Sequence, residues 1–230
     1  MARSTLLCES GGVTSGRPIE PPQRRRVGRP PTLDREGALL AARTVIARRG
    51  IDRTRYSDVA EAAGVPVTTL QHAFGSLQAM LLESVSTAAA SEIAVLRDLS
   101  HDSTLSAWER IQEFIRGAID SPDDPDSWRV WLEFWRIASR DAEIGEDAGR
   151  IYEQWWLYLG ELVQDGRDAG LFTSPITEDV RATAIALVGL IDGVAAALVL
   201  RADGPDHERT RAIVLAGAAA MLGVPPQPAN

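Results

Sequence analysis

RYSDVAEAAGVPVTTLQHAFGSLQAM, residues Arg55 to Met80, decides the fold. Two short apolar-periodic segments, Tyr56 to Ala63 and Val67 to Phe74, flank Gly64-Val65-Pro66, and a further helix is expected from Ser76. Glycine ends a helix in the left-handed conformation at little cost. Proline is tolerated in the first turn of the next helix, where its missing N–H had no partner. Val59, Ala60, Ala63, Val65, Leu70 and Phe74 then clamp the two helices, leaving Val67, Thr68, Thr69, Gln71 and His72 outside. The pattern is that of a helix-turn-helix, although αα-hairpins with the same turn also serve as packing units.

Upstream, Arg35 to Arg49 reads as one amphipathic helix with Ala38, Leu39, Ala42, Val45 and Ile46 on its apolar face and Gly50 at its end. That completes a three-helix unit. Its order and lengths, with the motif Gly64-Val65-x-x-x-Thr69-Leu70-x-x-x-Phe74-x-Ser76, strongly resemble the DNA-binding domain of the TetR family of transcriptional repressors. The resemblance covers about Asp34 to Leu82 closely and the rest of the chain in helix layout. It implies that Val67 and Thr68 face base edges, with Val67 suited to a thymine methyl, and that Arg55, Tyr56, Thr69, Gln71 and His72 mostly hold phosphates. Three positions depart from the family's usual pattern: Gln71 replaces a common Tyr, Ala73 an aromatic or His, and Leu77 a Lys that faces a phosphate.

Charge is distributed in keeping with that reading. All 24 basic residues are Arg, and the net charge is −8. Up to Met80 there are 12 Arg against 7 acidic residues; beyond it, 12 against 25, so the basic part is the part with the helix-turn-helix. Residues 1–31 are rich in Gly and Pro and are expected to form a disordered basic arm. At its end Arg24, Arg25, Arg26 and Arg29 precede the first helix. Beside a helix-turn-helix such an arm commonly lies in the adjacent minor groove, which makes Arg26 and Arg29 DNA contacts; elsewhere it would be a solubilising tail.

Cys8 is the single cysteine and there are three His, which excludes an intramolecular disulfide and gives no metal-site spacing. No cofactor is expected. Ser4-Thr5-Leu6-Leu7-Cys8 lacks the preceding apolar run of an exported lipoprotein, so a cytoplasmic location is expected.

From Ser76 onward the spacing is helical. Helices are expected over Ser76–Leu99, Leu105–Ile119 with Ser103 or Thr104 as cap, Asp126–Arg140, Asp141–Ala169, Glu178–Arg201 capped by Thr177, and Asp206–Gly223. Five of the six Trp fall on the third and fourth of these. Such a cluster is either packed core or the lining of a cavity, since buried Trp N–H and Tyr O–H groups need partners and rings suit an aromatic or cationic ligand. Trp108, Phe114, Trp131, Trp135, Tyr152, Trp155 and Tyr158 are the candidate lining, for a small, mainly apolar or aromatic effector. The run Ala182–Leu200 is apolar enough to suggest a membrane span. Asp192 in its middle would cost about 2.5–3.5 kcal/mol and aromatic anchors are missing, so a helix buried on all sides of a soluble protein is expected instead. Gly189, Gly193 and Gly217 favour close helix approach, and the resemblance implies a two-fold homodimer through the last two helices.

The expected protein is all-α: arm 1–31, helix-turn-helix domain 32–80, helical ligand-binding and dimerisation domain 81–223, and tail 224–230. The resemblance implies a ligand-released repressor that binds a palindromic duplex operator as a dimer. An activator, or a ligand-binding scaffold of the same fold that has lost specific DNA binding, is the alternative. No nucleophile with a nearby His, phosphate-binding Gly loop or carboxylate pair supports an enzyme.

Overall fold

The computed structural model describes residues 33–101, 104–120, 127–200 and 206–224, less the side chains of residues 92 and 96–101. The basic arm with Arg26 and Arg29, and the tail from 225 on, lie outside them. Among the described residues every regular element is helical.

Helix α1 (Arg35–Arg49) starts where the Asp34 carboxylate accepts the Gly37 N–H at 3.0 Å, and it stops at Gly50, whose φ of +74° suits glycine. One 3-10 turn, Ile51–Arg53, leads to α2 (Tyr56–Ala63). Gly64 at φ +66° closes α2, and the Val65 N–H returns to the Ala60 carbonyl at 3.0 Å, the Schellman arrangement. Pro66 stands one position before α3 (Val67–Phe74) rather than within its first turn; its carbonyl accepts from Thr69 and Leu70. Val59, Leu70 and Phe74 are buried between these helices, α1 and α4 (Leu77–His101), as their spacing required.

The larger part continues through α5 (Ala107–Ile119), α6 (Ser127–Ala138), α7 (Ala142–Asp168), α8 (Val180–Ala195), the single turn α9 (Ala197–Leu200) and α10 (His207–Leu222). Two caps differ from expectation. Ser106, not Ser103 or Thr104, caps α5 by a reciprocal pair with Glu109, because serine at N-cap with glutamate three residues later satisfies two end donors together. Asp179, not Thr177, caps α8; the Thr177 hydroxyl is spent on the Ser174 carbonyl inside a 3-10 turn, Pro175–Glu178.

Helix α6 is covered by α1, α4 and α7, in keeping with its wide apolar arc. Helix α8 is a correction: it is not buried on all sides in the protomer. Thr183, Ala184, Leu187, Val188 and Ile191 are enclosed, whereas Ile185, Gly189 and Gly193 lie open, with free space around both glycines. By length and composition Val180–Leu200 would span a membrane, but one third of it is buried in the protein and Asp192 faces the interior cavity described next.

Candidate functional site

A cavity of about 620 Å³ lies among α1, α4, α5, α6, α7 and α8. Helical spacing builds its aromatic end. Trp128 and Trp131, one turn apart on α6, share it with Tyr152 and Trp155, one turn apart on α7, and with Phe114 of α5. Phe114 and Trp155 meet edge to face, with ring centroids 5.2 Å apart and planes at 74°. Trp131 and Tyr152 meet at 6.4 Å and 66°. Edge-to-face packing of this kind is the favoured arrangement of aromatic rings.

Asp192 enters this aromatic wall from α8. Its Oδ2 accepts the Tyr152 hydroxyl at 2.8 Å, which is its hydrogen bond among the described residues. Burial pushes the carboxyl up to about 6, partly offset by that hydrogen bond. Burial, followed by the negative neighbour, likewise raises the Tyr152 hydroxyl, so it stays a donor. A desolvated carboxylate is costly without a counter-charge, and the same cavity is also lined by Arg43 and Glu36 of α1.

Of the seven candidate lining residues, Phe114, Trp131, Tyr152 and Trp155 surround the cavity. Three do not. Trp108 is buried in the core, Tyr158 lies behind Phe114 at 5.9 Å, and Trp135 packs its ring against Trp128 and Trp131 outside the wall. The spacing marked α6 and α7 as aromatic; it did not say which ring of each turn faced inward. Trp128 was missed, and it belongs to the wall with its Nε1–H donating to the Ala118 carbonyl at 3.0 Å. Asp192 was read only as an obstacle to membrane insertion, yet a lone acid in an apolar helix was the available signal.

On α3, Thr68, Gln71 and His72 are exposed together, one turn of helix. Val67 and Thr69 are half-buried, Val67 against the core. Arg55 is exposed and anchors α2 through its N–H, which donates to Asp58 at 2.8 Å. The Tyr56 hydroxyl is instead buried, which raises its ionisation above the ordinary range.

Helix α6 is tied to the three-helix unit by ions. Glu133 accepts the Ile51 N–H at 3.4 Å, and Arg136 reaches Asp52 at 3.0 Å and Glu133 at 3.1 Å. A groove of about 400 Å³ beside this contact is lined by Ile51, Leu77, Arg136 and Ile137.

A helix-turn-helix joined to a helical domain that holds a partly open cavity is the architecture of a DNA-binding regulator. Family comparison agrees: residues 38–84 match the bacterial regulatory proteins of the tetR family, and residues 107–223 match the C-terminal domain of BetI-type transcriptional repressors. The chain therefore belongs to the TetR family of transcriptional regulators, and it is a DNA-binding regulator rather than an enzyme. It is 29% identical over 125 residues to the HTH-type transcriptional regulator BetI of Agrobacterium fabrum, a match spanning 51% of this chain and 57% of that relative. Among solved structures, a transcriptional regulator from Saccharomonospora viridis in complex with choline is similar at TM-score 0.71 and 23% identity, covering 84% of this chain and 98% of that one. A TetR-family regulator from Rhodococcus sp. is similar at TM-score 0.67 and 23% identity, covering 82% and 98%.

Proposed function

We propose that this regulator is a cytoplasmic homodimeric repressor, released from a palindromic operator when a small quaternary ammonium compound of the choline type occupies the aromatic cavity. The observation that carries the effector class is Asp192, a carboxylate set among Tyr152, Trp131 and Trp155. Cations gain from both ring faces and a buried anion, and methylated ammonium groups lose little hydration on entering. The choline complex of a structural relative supports the same chemistry.

The open faces of α8 and α10, with Ile185, Gly189 and Gly193 on one and Ile213 on the other, fit a second copy across a two-fold axis. Two recognition helices then read half-sites about 34 Å apart. Val67 and Thr68 face base edges; Arg55, Thr69, Gln71 and His72 hold phosphates, Tyr56 being withdrawn from that set by its buried hydroxyl; Arg26 and Arg29 enter the minor groove.

The test titrates intrinsic Trp fluorescence and operator mobility with choline, tetramethylammonium and the neutral carbon isostere dimethylbutanol. The cations are expected to change fluorescence and release the operator while the isostere does neither. Equal responses to choline and the isostere would sink the cationic reading.

A further inference from the structure

The cavity extends beyond the cage just described. Counting about 30 Å³ for each water-sized group, a choline-sized cation fills on the order of 200 Å³. Much of the 620 Å³ is left over. That remainder is bordered by α1 and α4, where the rings give way to the aliphatic Leu39, Leu40, Ala88, Ala89 and Val95, with Glu36, Arg43, Thr87 and Ser91 interspersed among them. Leu39 and Ala89 are buried, whereas Leu40 is 44% and Val95 55% exposed, so this arm of the cavity grades from enclosed to open. Exposed aliphatic groups on α1 and α4, in the same space as the rings and Asp192 of α5 to α8, give the cavity two chemically different walls.

We infer that the effector is an elongated amphiphile, a quaternary ammonium head in the cage joined to an alkyl or acyl chain that lies along Leu39, Leu40, Ala88 and Val95. This rests on the cation reading of the aromatic end and adds the chain. An acyl or alkyl tail covers the aliphatic wall and brings Leu40 and Val95 out of water, which a bare head does not. The placement also has a regulatory consequence. Helix α1 packs on α2 and α4, so a chain on Leu39 and Leu40 touches the DNA-binding unit itself.

The experiment is calorimetric titration of the full-length protein with choline, butyrylcholine, hexanoylcholine and octanoylcholine below their micellar range, with sodium octanoate as the headless control. Thermal melts run alongside. Affinity is expected to rise about threefold to fourfold with each added methylene until the chain reaches solvent. Melting temperature should rise in step, and octanoate should bind far more weakly than octanoylcholine. Leu40→Glu, at an exposed position, should flatten the chain-length series. Choline binding with no gain, or a loss, from the longer esters would overturn the inference and leave the cage reading standing. Octanoate binding as tightly as octanoylcholine, or no cation binding at any length, would overturn both.

Discussion

The Tyr152 hydroxyl donates to Oδ2 of Asp192 across 2.8 Å, joining α7 to α8 inside the aromatic cavity. Asp192 lines the same cavity as Trp131 and Trp155, where the proposed cation would meet its charge. Asp192→Asn keeps the shape and an acceptor for Tyr152 while removing the charge. Cation affinity is expected to fall at least tenfold, and the ligand-free protein to become more stable at pH 8 by up to about 3 kcal/mol. Chemical denaturation and fluorescence titration measure the two effects; unchanged cation affinity would refute the role assigned to Asp192.

The same carboxyl sets a pH dependence. Its folded value of about 6 lies above the ordinary 3.8, so between these values the ligand-free fold holds a proton that the unfolded chain has released. This contribution to stability is full below about pH 4 and is lost as pH rises through 6. Cation affinity runs the other way, increasing from pH 5 to pH 7 as the carboxylate forms. Both slopes should vanish in Asp192→Asn, and affinity flat from pH 5 to pH 7 in the parent would contradict the assignment.

Truncating different rings separates lining from core. Trp108 is buried away from the cavity, so Trp108→Ala is expected to cost about 3–5 kcal/mol of stability. Its effector affinity should change little in the fraction that folds. Trp131 is half-buried and borders the cavity, so Trp131→Ala should cost less stability and lose most of the cation response. Operator binding should persist in that variant. The reverse ranking in denaturant melts would show that Trp131 is packed core.

Much of this was legible in the chain. Helix punctuation by Gly50 and Gly64 is local backbone chemistry, and the structure places both at positive φ. The apolar spacing of α5 to α7 likewise fixed which helices carry the cage. What periodicity could not resolve was the facing of individual rings on α6, because a helix covered by three others is apolar nearly all round and every ring looks interior. That is why Trp135 was named and Trp128 was not. Asp192 was missed for a related reason: the stretch was weighed as membrane against core, and neither alternative asks what a single acid faces. Leu77, the departure from the usual Lys, takes its meaning from α6, against which it lines a groove.

At the DNA face, the exposed trio on α3 and the residue heading α2 should behave differently. On the proposed assignment Arg55→Ala removes a phosphate contact, so affinity should fall across all sequences and the salt slope should drop by about 1. On the same assignment Thr68→Ala removes a base-edge contact, so it should relax preference at one position of each half-site by about 1–3 kcal/mol while leaving the slope alone. Binding selections at two salt concentrations distinguish these outcomes, and a changed slope for Thr68→Ala would reverse its assignment.

Glu133 on α6 accepts the Ile51 N–H at 3.4 Å, two residues beyond the end of α1, and Arg136 clasps Asp52 beside it. Trp131, on the same helix, borders the cavity. On the proposed function, a shift of α6 on cation binding would be delivered to the three-helix unit through this contact. Coupling between two sites is typically worth about 1–3 kcal/mol, and it acts only through elements that both sites bias. Gly50 fits the junction tightly: a Cβ there would meet Glu133 Oε1 at 3.0 Å, and φ is +74°. Gly50→Ala should thus destabilise the fold by about 1–3 kcal/mol. Glu133→Ala is the cleaner probe. It removes the acceptor at the half-buried junction but touches neither the cavity nor α3, so effector affinity measured without DNA and operator affinity measured without effector should each stay within about threefold of the parent. The ratio of operator affinities with and without saturating cation, which reads the coupling, should fall toward one. A ratio equal to the parent's would show that the signal reaches α1 by another route, through α4 or directly through the effector's own chain.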